Sequence, residues 1–150
     1  MALVIDGEER IEAPISKVWA ALNDVDVLKE CIPGCESLEK TSENEMAATV
    51  TLKIGPIKAR FNGEVELKNL NPPHGYTIQG EGKGGIAGFA KGGADVTLEE
   101  ESPEVTILRY EAKADVGGKI AQLGSRLITS TSKKLAGQFF STFNEKVSSD

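Results

Sequence analysis

Hydrophobic and polar positions change their period three times along the chain. Near the N-terminus Leu3, Ile5, Gly7 and Ile11 fall on alternate positions, which predicts a first strand over residues 3–12 with an irregularity at Glu8-Glu9. Pro14 then opens a helix, its fixed φ and missing N–H suiting the first helical position. Val18, Trp19 and Leu22 give that helix an apolar face. A second short helix starts at Asp24, whose carboxylate caps free N–H groups, and carries Val25, Val27 and Leu28. It must end within Cys31-Ile-Pro-Gly-Cys35, where Pro33 and Gly34 break the pattern.

From residue 36 the period is two, with strands predicted over 36–42, 45–54, 57–69, 75–83, 89–100 and 104–116. Leu108, Tyr110, Ala112, Ala114 and Val116 alternate with Arg109, Glu111, Lys113 and Asp115, so one face is dry and the other wet, as in an antiparallel sheet. Gly55-Pro56, Asn71-Pro72-Pro73-His74-Gly75 and Glu101-Ser102-Pro103 supply turns. After Gly117-Gly118 the helical period returns: Ile120, Leu123, Leu127, Thr131, Leu135, Phe139 and Phe143 recur to about Val147. A helix of some 30 residues would be roughly 45 Å long. It is the one element large enough to cover the dry face of the sheet. The fold class is therefore α+β: a seven-stranded, curved antiparallel sheet around a long C-terminal helix, with two short N-terminal helices, in a single domain over 1–150.

Composition sharpens one point. Aromatics are 5% of the chain, whereas Gly (16) and Ala (14) together make a fifth of it. Many of these small residues fall on inward positions: Ala48, Ala59, Gly63, Gly80, Gly82, Gly92, Ala94, Ala112 and Ala114. Interiors pack densely and unfilled space costs stability. Either the helix sits close to the sheet, with glycines marking bends, or an apolar cavity is left for a ligand to complete.

Net charge is −6, with no basic stripe, which argues against nucleic-acid binding. No apolar run approaches the ~18 residues of a membrane span. The segment Met1-Ala-Leu-Val-Ile-Asp6 has no basic stretch ahead of an apolar run, so a secretory signal is not expected and the two cysteines point to the reducing cytoplasm. Cys31 and Cys35 lack the ligands of a zinc site and the spacing of a redox pair, and read as a buried thiol pair. The single histidine, His74, sits in a turn and has no nucleophile to pair with. Residues 80–93 hold seven glycines. Gly80-Glu-Gly-Lys-Gly-Gly85 matches a dinucleotide fingerprint in letters only, because strands rather than a helix follow. This stretch reads as a hairpin whose tip carries Ile86 and Phe89 between Lys83 and Lys91, either tucked inward or presented to a membrane, a partner or the cavity mouth.

The segment from Ala13-Pro14 through Val18-Trp19, Leu22-Asn-Asp24, Leu28 and Cys31-Ile-Pro-Gly-Cys-Glu-Ser-Leu38 resembles the CoxG family, whose members accompany carbon monoxide dehydrogenases. So do Ile54-Gly-Pro56, Asn71-Pro-Pro73, Gly88-Phe-Ala-Lys-Gly92, Val116-Gly-Gly-Lys119 and Phe139-Phe140, so that the likeness spans about residues 3–143. The resemblance implies the START-like (SRPBCC, Bet v 1-like) helix-grip fold and an apolar cavity suited to a quinone or lipid. It also implies service to a molybdenum-containing carbon monoxide dehydrogenase-type hydroxylase at the inner face of the cytoplasmic membrane. Some members carry a C-terminal hydrophobic anchor; none precedes Asp150, so membrane contact is expected to be peripheral. No catalytic residues carry over.

A non-enzymatic carrier is thus expected, its cavity lined by Phe61, Tyr76, Ile78, Phe89, Tyr110, Leu123, Leu127 and Phe139, with Lys83, Ile86, Phe89 and Lys91 as a membrane or partner contact. A recruitment or assembly factor that carries no ligand is the alternative. An enzyme acting on an apolar substrate would need a polar cluster deep in the cavity.

Overall fold

The structure, a computed structural model, describes residues 1–148. Seven antiparallel strands form one sheet in the order β1-β7-β6-β5-β4-β3-β2. They are β1 (Ala2–Ile11), β2 (Cys35–Ser42), β3 (Glu45–Ile54), β4 (Ile57–Asn71), β5 (Gly75–Lys83), β6 (Phe89–Ser102) and β7 (Val105–Gly117). Helices α1 (Ile15–Leu22) and α2 (Val25–Cys31) connect β1 to β2 at opposite edges of the sheet, and α3 (Ser125–Ser148) lies across its concave face. Asp24 caps α2, accepting from the N–H groups of Asp26 (2.9 Å) and Val27 (3.4 Å). Pro14 is the N-cap of α1, at φ −61° and ψ 148°, one position earlier than expected.

Two elements differ from expectation. β1 has no irregularity at Glu8-Glu9: its pairing with β7 runs unbroken from Ala2↔Asp115 to Ile11↔Thr106. The C-terminal helix is also shorter. Residues Lys119–Leu123 form a 3-10 turn, and Gly124, at φ +93°, turns the chain before α3 begins. α3 is 24 residues long, roughly 36 Å.

Strand register aligns the small residues across the sheet. One rung joins Leu67, Ile78, Ala94, Ala112 and Ile5; the next joins Met46, Val65, Gly80, Gly92, Ala114 and Leu3; a third joins Ala48, Gly63, Gly82, Ala90 and Val116. In the centre of all three rungs Ala and Gly predominate, and they project nothing larger than a methyl group inward. The rungs beyond are full. On one side Tyr76, Val96, Leu98 and Leu108 pack with Ile11, Val18, Leu22, Phe143 and Val147. On the other, Phe61, Ala87, Val116, Ile120 and Ile128 form a smaller cluster. Large side chains therefore make two cores, with a band of Ala and Gly between them.

Beside the larger core, Thr106 is a fully buried polar residue. Thr106 Oγ1 donates to the carbonyl of Ala13 at 2.8 Å, tying β7 to the approach to α1. Thr106→Val leaves that carbonyl unpaired and should cost about 1–3 kcal/mol in urea denaturation. An unchanged midpoint would mean the bond contributes nothing.

Candidate functional site

The band of small residues is the floor of a cavity of about 610 Å³ beneath α3. At ~30 Å³ per liquid water that is space for roughly twenty waters, inside the range of pockets that hold drug-sized ligands. Ala48, Gly63, Gly80, Gly82, Gly92, Ala94, Ala112 and Ala114 form the floor; Val50, Leu52, Val65, Leu3 and Ile5 form the flanks. α3 closes it from above with Ile128, Thr131, Ser132 and Leu135, spaced three and four apart and so on one helical face. Ile32 and Pro33 add a further wall. Their connection is held to β3 by the Thr51 N–H, which donates to the Gly34 carbonyl at 2.9 Å. The inner-face residues of the middle rungs are only half-buried although they lie inside the curve of the sheet, because the cavity itself exposes them.

Glu81, Lys91 and Lys113 border the same space, but the alternation of β5, β6 and β7 turns their side chains to the outer face. There Glu81 pairs with Lys83 (3.6 Å) and Lys113 with Glu111 (3.6 Å). The side chains that face inward are apolar apart from the hydroxyls of Thr131 and Ser132, and no acid or base is among them.

Of the residues expected to line the cavity, Phe61 and Ile78 do so. The others are elsewhere. Tyr76 and Phe139 belong to the larger core: Tyr76 meets the edge of Trp19 with ring centroids 5.5 Å apart, and Phe139 stacks on Phe143 at 5.9 Å. Burial pushes the Tyr76 phenol up to about 12. Tyr110 faces inward but covers Gly7 and stacks on Phe140 at 5.4 Å, one rung outside the cavity. Leu127 is turned toward Gly55, and Leu123 lies in the 3-10 turn before α3. Phe89 is on the outer face, because Ala90, Gly92, Ala94 and Val96 take the inward positions of β6; its ring covers Gly117. Ile32, Pro33, Ile128 and Ser132 also line the cavity and are missed from the sequence. The series Leu127, Thr131, Leu135, Phe139 meets the cavity only at Thr131 and Leu135; Ile128 and Ser132 complete the inward stripe, while Leu127 and Phe139 fall to either side.

The hairpin tip is not tucked inward. A 3-10 turn at Gly85–Ala87 buries Ala87 and leaves Ile86 84% exposed, with Phe89 44% exposed beside it. Strand direction puts this tip at the same end as the Gly55-Pro56 turn, the 3-10 turn after β7 and the start of α3. Exposed Lys53, Lys58, Lys83, Lys91, Lys119 and Arg126 gather at that end, against Glu81 and Asp115. The acidic turn at Glu99–Glu101 and Glu104 lies at the far end.

Cys31 and Cys35 are free thiols, but only Cys31 is fully buried; Cys35 is half-buried and donates to the Ser37 carbonyl at 3.4 Å. Burial raises both thiol pKa values. His74 is exposed. Among the described residues no cluster of His, Cys, Asp or Glu is arranged to hold a metal, and no helix is long and apolar enough to cross a membrane.

The family model of CoxG, a carbon monoxide dehydrogenase subunit, matches residues 7–148. A conserved protein from Geobacillus kaustophilus is 30% identical and superposes with a TM-score of 0.92 over 97% of this chain and 95% of its own. A START superfamily protein from Mycobacterium smegmatis (10% identity, TM-score 0.73) covers 96% of both chains. An aromatase/cyclase from Streptomyces sp. R1128 (10% identity, TM-score 0.72) covers 98% of this chain and 94% of its own. At such identities these last two show the fold alone, which is START-like. No curated protein matches the sequence at a significant level.

Proposed function

The chain belongs to the CoxG family of carbon monoxide dehydrogenase subunits, and from that premise we propose that it is a non-enzymatic accessory protein that carries an apolar molecule, a quinone or a lipid, between sheet and helix. The single observation behind this reading is the alignment of Ala and Gly on three adjacent rungs, which keeps about 610 Å³ empty between two cores. The inward wall also lacks an acid or base to run a reaction. Carbon monoxide dehydrogenase, the enzyme in the family's name, is the partner this reading assigns, taken as a molybdenum-containing hydroxylase with the carried quinone as its link to the membrane pool. Titrating the protein with a short-chain isoprenyl naphthoquinone tests it: Trp19, the only tryptophan, packs beside the rung next to the cavity and reports by quenching. Saturable quenching at one equivalent is expected, and quenching linear in quinone would overturn the reading.

Exposed Ile86 and Phe89 within a collar of lysines favour peripheral docking of this end on an anionic bilayer. A net charge of −6 gives no overall attraction, but polarity along the molecule does, at about 1 kcal/mol per cation near the surface. Replacing Ile86 and Phe89 by Ser should abolish co-sedimentation with phosphatidylglycerol-rich vesicles while circular dichroism and Tm stay unchanged. Unchanged co-sedimentation would exclude the tip as the contact.

A further inference from the structure

The cavity-facing stripe of α3 carries Thr131 and Ser132 between Ile128 and Leu135. A helix face turned toward an apolar sheet ordinarily carries large apolar side chains, which bury area and favour the helix more than Thr or Ser does. Two other hydroxyls of α3 bond back to the helix: Ser130 Oγ donates to the Leu127 carbonyl at 3.1 Å and Ser148 Oγ to that of Asn144 at 2.5 Å. Among the described residues Thr131 and Ser132 make no side-chain hydrogen bond within the protein, and they carry the polar side-chain atoms of an otherwise apolar wall. Both residues are half-buried and their oxygens are reached by solvent. An apolar molecule that fills the cavity displaces that water and must either offer the hydroxyls a partner or leave them unpaired, which is unfavourable.

We propose that Thr131 and Ser132 form the polar subsite of the cavity, and that the molecule held there is neutral and apolar with a carbonyl oxygen at mid-depth. This rests on the carrier reading above and narrows it. Each hydroxyl donates one hydrogen bond, and adjacent positions on a helix point about 100° apart, so the pair serves either two oxygens or one oxygen from two sides. No Lys, Arg or His side chain faces the cavity, so the carboxylate of a fatty acid would be desolvated there without a counter-charge. A pure hydrocarbon would leave the hydroxyls unpaired. A quinone, ketone or ester satisfies both conditions.

The test uses Thr131→Val, Ser132→Ala and their combination, with an isoprenyl naphthoquinone and a phenylalkane of similar length as probes. Removing an unpartnered hydroxyl from an apolar wall should leave Tm unchanged or higher. Naphthoquinone affinity should fall by about tenfold per hydroxyl, the factor for one net hydrogen bond, while phenylalkane affinity stays constant or rises. Thr131→Ser, which keeps the donor, should retain the wild-type affinity. Equal naphthoquinone affinity in the double variant and wild type overturns the subsite while leaving the carrier reading intact. A parallel loss of both probes assigns the hydroxyls a structural role and overturns it too. If neither probe binds wild type saturably, the carrier reading itself has failed.

Discussion

Gly82→Phe should leave the protein folded and abolish saturable naphthoquinone binding. Gly82 lies at the centre of the third small-residue rung, and a Cβ built on it meets nothing within 4 Å. Its backbone is in an ordinary strand conformation, so a side chain is not strained there, and replacing Gly in a strand also restricts the unfolded chain. A phenyl ring at this point occupies the space the ligand needs and lends apolar contact to the surrounding wall. Tm is therefore expected to stay constant or rise while affinity falls by more than about a hundredfold, the loss of most of the buried ligand contact. Gly92, one rung away, is the matched opposite. A Cβ there would collide with the main-chain carbonyl oxygen of Lys113 on the neighbouring strand. Gly92→Ala should lower Tm without filling the cavity. If Gly82→Phe binds naphthoquinone like the wild type, the ligand is not between sheet and helix.

The second large effect concerns what holds α3 over the space. Phe143 is fully buried, stacks on Phe139 and packs in the core with Ile11, Leu108 and Val147. The half of α3 above the cavity packs on the smaller core through Ile128, whereas the C-terminal half buries Phe143 and Val147 in the larger core. Phe143→Ala should cost about 3–5 kcal/mol, read as a lower urea midpoint. A loss below about 1 kcal/mol would mean that the helix is held elsewhere.

Element order, turns and the dry face are legible in the alternation of the strands, because each pattern is local. The inward small residues can also be named from sequence: Ala48, Gly63, Gly80, Gly82, Gly92, Ala94, Ala112 and Ala114 all lie on the cavity floor, and only Ala59 packs against the smaller core instead. Their alignment cannot be read, since register between strands depends on offsets that no single strand encodes. The lining residues are misjudged for a physical reason. Large side chains such as Tyr76 and Phe139 find one another and fill cores, so the cavity is where they are absent. Phe89 shows how local the error is. Counting back by twos from Leu98 and Val96 puts Ala90 inward and Phe89 outward, but glycines at 92 and 93 erase the apolar alternation that would show it. Ser132 is hidden by the same logic, as a polar letter on a helix face judged by its apolar ones.

On the carrier reading, an apolar molecule occupies the space beneath α3 when the protein is in its own cell. Native mass spectrometry of the protein purified from its natural host, without detergent, tests it most directly. The predicted result is a mass excess of one small molecule per chain. That molecule should be removed by organic extraction, identified by its fragments as a neutral carbonyl compound, and missing from Gly82→Phe. The bare polypeptide mass for wild type, under conditions that keep a known lipid carrier loaded, would contradict it.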